Sequence, residues 1–305
     1  MTTAYSDPAV RHDMLLVFDV LDGNPNGDPD AANQPRQDLQ TNQGLITDAA
    51  IKRKIRDTVP LLAAAASADP DRYRIFVEAG ETLNPRLEES YTANNIPLEK
   101  AEGTGAKKTR KRIEVGQADE ARAWLRNRYY DLRLFGGVLG TGNTQSLGKM
   151  RGPMQVTFGR SVDPIAPEQH AITRVAKTRA EDAGHGEMGN KWTVPYGLYT
   201  ARIHYSAVRG KEAGVTADDL ELFYRALLMM WDHTSSASRG EMATRGLYVF
   251  SHPDAYGVVP AHKLLDRIVV HRTRPDEPAR SFAEHYKLDL DDSGLPAGVT
   301  VAQLA

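Results

Sequence analysis

No cysteine occurs among the 305 residues, which excludes disulfides, thiolate nucleophiles and thiolate-ligated metal sites. No apolar run approaches the roughly 18 residues that a bilayer span requires. The opening Met1-Thr2-Thr3-Ala4-Tyr5-Ser6-Asp7 has neither the basic nor the apolar region of a signal peptide. A soluble, cytoplasmic protein without a membrane partner is expected. The nine histidines are scattered, with no H-x-H and no H-E-x-x-H, so a metallohydrolase centre is not expected. No G-x-S-x-G elbow marks a serine hydrolase. Gly137 to Thr144 has the spacing of a phosphate-binding loop, but Asn143 stands where its lysine must be. Gln145 likewise fills the last place of a would-be G-x-G-x-x-G. The expectation is a protein without metal or cofactor.

What is present is an ordinary globular composition, 41% apolar and 26% charged, long enough to bury a substantial core. Net charge is −2, but residues 275–305 hold six acids against two bases, leaving the remainder at +2. Bases there are clustered, in Lys52-Arg53-Lys54-x-Arg56 and Lys107-Lys108-x-Arg110-Lys111-Arg112. A local basic track binds phosphates even on a protein of near-neutral charge. The reading centres on residues 14–56. Met14 to Leu21 is apolar and β-prone enough for a buried strand. Asp22-Gly23-Asn24-Pro25-Asn26-Gly27-Asp28-Pro29-Asp30 is a cluster of turn formers, with the loop running to Gly44. A helix follows with Thr47 as N-cap and Asp48 in its first turn. Ile51, Ile55 and Val59 make its apolar stripe, while Lys52 and Arg56 lie one turn apart on another side. Asp22-x-Asn24-x-Asn26-Gly27 matches half of a calcium loop, but Asn33 occupies the position that demands a bidentate glutamate. Asp19, Asp22, Asp28, Asp30 and Asp38 are equally readable as magnesium ligands or as turn makers and caps.

Further on, Pro60 and the alanines at 63–66 are expected to close this unit, and Arg74 to Val77 to form a short strand. Residues 80–116 look too polar for core and read as an inserted lobe. A helix is expected from Gln117 to Tyr130, with Ala121, Trp124, Leu125 and Tyr129 inward. A strand from Asp131 then runs into a glycine bend around Gly136 and Gly137, where backbone can approach a ligand. Met154 to Gly159 alternates like a half-buried strand. Residues 172–194 suggest a long hairpin around a glycine-rich tip, followed by a strand from Gly197 to Val208. Thr216-Ala217-Asp218-Asp219 starts a helix to Trp231 whose Leu220, Phe223, Leu227 and Trp231 are core. Gly246 to Ser251 and Leu264 to His271 read as final strands, and the acidic segment beyond Pro275 as loosely ordered.

An ordered set of segments carries a family resemblance. These are Phe18-Asp19-Val20-Leu21-Asp22-Gly23-Asn24-Pro25-Asn26-Gly27-Asp28-Pro29, Thr47-Asp48 with Ile51-Lys52-Arg53-Lys54-Ile55-Arg56, and Tyr130-Asp131-Leu132-Arg133-Leu134-Phe135-Gly136. Arg151-Gly152-Pro153-Met154-Gln155, Ile172-Thr173-Arg174, Val194-Pro195-Tyr196-Gly197-Leu198-Tyr199 and Ala237-Ser238-Arg239-Gly240 complete it. The chain resembles the backbone subunit of type I-C CRISPR Cascade, of the Csd-type, Cas-seven group of RAMP proteins. The resemblance implies an α+β fold: an RRM-like (ferredoxin-like) palm with an inserted finger or web lobe and a projecting thumb β-hairpin. The palm would be residues 1–77, 117–171 and 195–275, the lobe 78–116, the thumb 172–194, and 276–305 an acidic C-terminal tail. Implied partners are CRISPR RNA, target DNA, further copies joined head to tail, and other Cascade subunits. RNA contacts would fall on Asn24, Asn26, Lys52, Arg53, Arg56, Gly136, Gly137, Arg151, Gln155 and Arg174. Met188 or Trp192 would wedge the base stack, and Lys107, Lys108, Arg110, Lys111 and Arg112 would offer a further basic contact to DNA or RNA. No catalysis is expected; the alternative is a metal-dependent endoribonuclease using Asp28 or Asp30, as in type III relatives with an acidic loop residue.

Overall fold

Strand β1 (His12–Gly23) is the apolar run, and the loop after it carries its own small ladder of β2 (Gly27–Asp28) with β3 (Gln34–Pro35) before β4 (Gln43–Ile46). A computed structural model describes residues 3–66, 68–98, 113–140, 145–173 and 188–305. Helix α1 (Asp48–Ala65) starts where its cap predicts, with Thr47 Oγ1 accepting from the Ala50 amide at 3.2 Å. It does not stop at Pro60. Proline deletes only the hydrogen bond to the Arg56 carbonyl, while Val59, Leu62 and Ala63 stay buried and hold the last turns on the core.

Helices α2 (Leu83–Ala93), α3 (Val115–Arg128) and α4 (Tyr130–Phe135) come next, and the stretch from Arg74 to Phe135 corrects four expectations. Residues 74–77 form no strand beyond a single bridge, Arg74 to Tyr129. The lobe that looked too polar for core contributes Leu87, Tyr91 and Ile96 to a second apolar cluster with Ala121, Leu125 and Tyr129. Asp131 to Phe135 is helical because its alternation is not inside-outside: Asp131 and Arg133 are both buried, each charge met within the protein. Trp124, expected inward, only flanks that cluster, with the Arg128 guanidinium over its ring.

A two-stranded ribbon follows, β5 (Gly136–Leu139) with β6 (Gly148–Arg151), then β7 (Met154–Val156), β8 (Gly159–Pro164), β9 (Glu168–Thr173) and β10 (Met188–Tyr205). Pairing of β9 with β10 runs from Glu168↔Thr193 to Thr173↔Met188, so the paired arms begin four residues before the expected start at 172; the rest of the expected first arm and the tip, with Arg174, lie outside the described residues. The returning arm and the strand expected after it are one continuous strand. Beyond α5 (Ala207–Ala213) come α6 (Ala217–His233), β11 (Glu241–Ser251), α7 (Ala261–Leu265), β12 (Ile268–Arg272), α8 (Phe282–His285), β13 (Tyr286–Leu290) and β14 (Thr300–Gln303). The main sheet is antiparallel in the order β14-β11-β1-β10-β8-β4, with β7 and β9 also pairing along β10. No helix among the described residues is long and apolar enough to cross a membrane.

β1 reads as a continuous apolar run because it feeds two cores. Met14, Leu16, Phe18 and Val20 pack with α1 and α6, while Leu15 and Val17 face Tyr248, Phe250, Leu264, Leu265 and Tyr286. The C-terminal segment is therefore not loose. Its Phe282, Tyr286, Leu288, Leu290 and Val301 cover the sheet's second face, and β14 pairs with β11.

Buried charges on the core's edges are matched. Arg133 donates to both oxygens of Asp219, at 3.1 and 2.8 Å, and both residues are sealed from solvent. Asp219 also receives the Thr216 amide at 2.9 Å, closing the capping box of α6, and Arg72 at 2.9 Å. On the far end of β1, Asp13 receives His204 at 2.6 Å, His252 at 3.0 Å and Arg11 at 2.9 Å. His12 beside it donates from Nε2 to the Asp7 carbonyl, and its Nδ1 lies 2.9 Å from the Ser251 hydroxyl.

Truncating Asp219→Ala strands Arg133 in the interior and is expected to cost about 3–5 kcal/mol in urea unfolding. A loss below about 1 kcal/mol would show that the hub is not stabilising. Acid should unfold the protein in two stages. Burial, with opposing pull from the Asp7 carbonyl and carboxylate, lowers His12 below its usual 6.5. The unfolded chain then takes up this proton first as pH falls below about 6.5, and stability declines. Burial would raise Asp13, but hydrogen bonds from His204 and His252 and the charge of Arg11 outweigh it and hold it well below 3.8. Its contribution is complete above the unfolded value and is lost as pH drops through the range below about 4. Urea midpoints measured across pH should show both stages, and His12→Gln should remove the upper one alone.

Candidate nucleic-acid interface

The ribbon β5–β6 crosses the end of α4 at two glycines. Gly136 has φ of +70°, and a Cβ there would stand 2.3 Å from the Met150 carbonyl oxygen. A Cβ on Gly152 would stand 2.3 Å from the Leu134 carbonyl oxygen. Only glycine allows backbones this close. The pairing Gly137↔Met150 and Leu139↔Gly148 turns Leu139 and Met150 into the second core. The alternate positions Gly136, Val138, Lys149 and Arg151 face outward, and Val138 is 60% exposed. This outer face borders an open cleft of about 390 Å³ lined also by Phe135, Gln155 and Arg209. The cleft continues past Lys149, Arg151 and Arg209 into a groove of about 740 Å³ between α3 and α5, where Arg122 and Arg126 meet Asp119 and Glu212.

Five cations line that groove against two acids. Arg122 is fixed by Asp119 and by the Leu147 carbonyl, and Arg126 by Glu212. The side chains of Lys149, Arg151 and Arg209 make no hydrogen bond or ion pair among the described residues. A rigid ribbon with three uncompensated cations and a small apolar side chain between them can hold successive phosphates of a single strand.

Of the residues singled out in the sequence, Gly136, Gly137, Arg151 and Gln155 come together here, with the Gln155 amide held at 3.1 Å by the Gly152 carbonyl. Lys52 and Arg56 border the same place from α1, their charges 5.5 and 5.4 Å from the centre of the Phe135 ring. Both are already engaged, Lys52 by Asp48 and Arg56 by Asp131, each at 2.9 Å. Arg53 points away and pairs with Asp57 at 2.8 Å. Asn24 and Asn26 do not line the cleft. The Asn24 amide donates to the Asn33 carbonyl, and Asn26 Oδ1 accepts the Thr47 amide at the start of α1. Asp28 pairs with Arg36 and caps the short turn at Pro29–Ala31. Among the described residues no three His, Asp or Glu side chains are placed to hold a metal. Met188 is 76% exposed at the described end of the hairpin, whereas Trp192 is half-buried with its indole N–H sealed and unpartnered. The basic cluster at Lys107, Lys108, Arg110, Lys111 and Arg112, like Arg174, lies outside the described residues. Lys149 and Arg209 were missed. The alternation Lys149-Met150-Arg151 signalled the first, but nothing local to Arg209 placed it opposite the ribbon.

Backbone crowding makes its own prediction. Gly136→Ala should cost about 1–3 kcal/mol through strain and overpacking, while Gly116→Ala in α3, where nothing lies within 4 Å, should stabilise by about 0.5–1 kcal/mol. Urea unfolding of the two variants checks the sign of each.

Three comparisons bear on this geometry. The family model for CRISPR-associated protein Cas7 matches residues 10–291. A Haloferax volcanii protein described as CRISPR-associated protein Cas7 is 51% identical over 47 residues, 15% of this chain and 14% of that protein's length. Among solved structures, a chain of a "CRISPR RNA-guided surveillance complex, pre-nicking" superposes with a TM-score of 0.50 at 17% identity, covering 84% of each chain, a likeness of fold.

Proposed function

The chain belongs to the CRISPR-associated Cas7 family, and from that premise we propose that it is the guide-RNA-binding backbone subunit of a Cascade surveillance complex of type I-C. The observation that carries this reading is the outer face of the glycine ribbon, where Lys149, Arg151 and Arg209 stand together without a partner among the described residues. Such a surface holds phosphates and reads no bases, as a guide of changing sequence requires. Lys52 reinforces it from α1, since its helix-surface pair with Asp48 is weak enough to yield to a phosphate, while Arg56 stays fixed on the buried Asp131.

The sheet order supports an RRM-like palm. β11-β1-β10-β8, with α1 between β1 and β8 and α6 between β10 and β11, is the βαββαβ arrangement. The β9–β10 hairpin is the thumb in this reading, with Met188 its wedge into the base stack. Copies join head to tail along the RNA as an open helix and present the guide to target DNA beside other Cascade subunits, in the cytoplasm. In this reading the subunit binds without cutting; of the two loop acids of the nuclease alternative, Asp28 is engaged by Arg36 and by its own turn.

Replacing Lys149, Arg151 and Arg209 together by alanine should weaken single-stranded RNA binding alike for every guide sequence. The salt dependence should flatten by about 0.7 log units for each phosphate no longer neutralised, about 2 in all. Binding titrations over a salt series test this, and the mass of wild-type complexes should grow with RNA length. A weakening restricted to some sequences, an unchanged salt slope, or a mass indifferent to RNA length would refute the reading.

A further inference from the structure

Residues 253–260 join β11 to α7 beside the start of β1, and several hydrogen bonds tie them down. Asp254 Oδ1 accepts the Tyr256 and Gly257 amides at 2.8 and 2.7 Å. The Asp254 carbonyl accepts the Arg11 amide at 3.0 Å, and the Tyr256 carbonyl accepts the Arg11 guanidinium at 3.2 Å. Gly257 has φ of +86°. It lies so close to its neighbours that a Cβ there would stand 2.9 Å from Arg11 Cδ and 3.1 Å from His252 Nδ1. This constrained backbone displays Tyr256, 80% exposed, and Val258, 50% exposed.

The last tie is an imidazole. The Val258 amide donates to His252 Nδ1 at 3.2 Å. A main-chain N–H can only donate, so Nδ1 is bare and the ring proton sits on Nε2, which donates to Asp13 Oδ2 at 3.0 Å. His252 is therefore neutral, in one defined tautomer, with its side chain sealed from solvent. A second proton has only Nδ1 to go to, where it would face the Val258 N–H, donor against donor. That hydrogen bond is then lost, while the bond to Asp13 becomes an ion pair that keeps the imidazolium in place.

The charged and titratable groups around His252 do not repeat this exchange. Asp13, which burial would raise, is held well below 3.8 by hydrogen bonds from His204 and His252 and by the Arg11 charge, and so stays ionised. Asp254 is kept below the usual carboxylate range by the Gly257 and Tyr256 amides and stays ionised too. The bond from His204 Nδ1–H to Asp13 survives a proton on the other nitrogen. His12, pushed down by burial, bonds to the Asp7 carbonyl and the Ser251 hydroxyl, neither of them part of the loop. Of these groups His252 alone trades a loop contact for a proton.

We propose that His252 is a proton-operated latch on the 253–260 loop. Neutral, it holds Val258 and fixes the display of Tyr256; protonated, it frees the backbone of Gly257 and Val258 while the sheet stays folded. The Asp254 turn persists in both states, so the release is local. The latch is independent of RNA binding.

The test is amide hydrogen exchange, read by NMR between about pH 5 and about pH 8 and corrected for the intrinsic pH dependence of exchange. Val258 protection should fall about three- to tenfold on acidification, as the loss of one hydrogen bond implies. The Tyr256 and Gly257 amides, bound to Asp254, should change less. Imidazole nitrogen shifts should show His252 Nδ1 bare at about pH 8 and protonated at about pH 5. His252→Asn puts an amide oxygen where Nδ1 stands and takes no proton, so its Val258 protection should be level across the range. His12→Gln removes the general loss of stability in acid and should leave the release in place, and it decides the matter if His252→Asn does not fold. A wild-type Val258 protection that is level with pH, or an Nδ1 already protonated at about pH 8, would overturn the latch. So would a release that persists in His252→Asn or vanishes in His12→Gln.

Discussion

The arrangement depends on two buried charges of one short helix. Asp131 and Arg133 lie two residues apart on α4, and each is held from a different direction. The Asp131 carboxylate accepts the amides of Phe76 and Val77 and the Arg56 guanidinium. Arg133 takes both oxygens of Asp219 and the carbonyls of Arg126 and Arg72. Desolvating four such groups is costly, and geometry this complete is what offsets it. Its consequence is positional: α1, α3 and α6 are all tied to α4, whose last residue is Phe135 and whose cap is Gly136. The ribbon that carries the exposed cations thus starts from a fixed point.

A second constraint comes from β1. A strand buried on both faces needs two covers, and α1 with α6 supplies only one. The other comes from the end of the chain, through Tyr286, Leu288 and Val301. Its surface acids are mostly exposed while its apolar positions recur at every second residue, which is how a net-acidic segment is also a folded one.

This separates what the sequence discloses from what it does not. β1, the Thr47 cap, the α6 capping box and the returning arm of the hairpin were legible, because each rests on local chemistry: apolar runs, side-chain caps and alternation. Residues 131–135 misled because alternating polarity was read as alternating exposure, when Asp131 and Arg133 are buried by partners tens of residues away. The lobe around α2 misled for the opposite reason. Leu87, Tyr91 and Ile96 are too few to show a periodicity, yet enough to pack once α3 lies beside them. At the site, sequence located the glycines and Arg151 but ranked the cations of α1 by density, and density says nothing of pairing.

Pairing is what sorts this chain's cations, and it explains how a protein of net charge −2 can hold a polyanion. A positive side chain with its own carboxylate, such as Arg53 with Asp57, changes little in the field beyond a few ångströms, and salt screens the rest. Lys149, Arg151 and Arg209 have no such partner among the described residues, stand on rigid backbone and share one groove, so their charge acts outward. There the folded chain leaves positive charge unmatched where a fixed scaffold holds it. That combination, more than the total number of basic residues, distinguishes a binding surface from a merely solvated one.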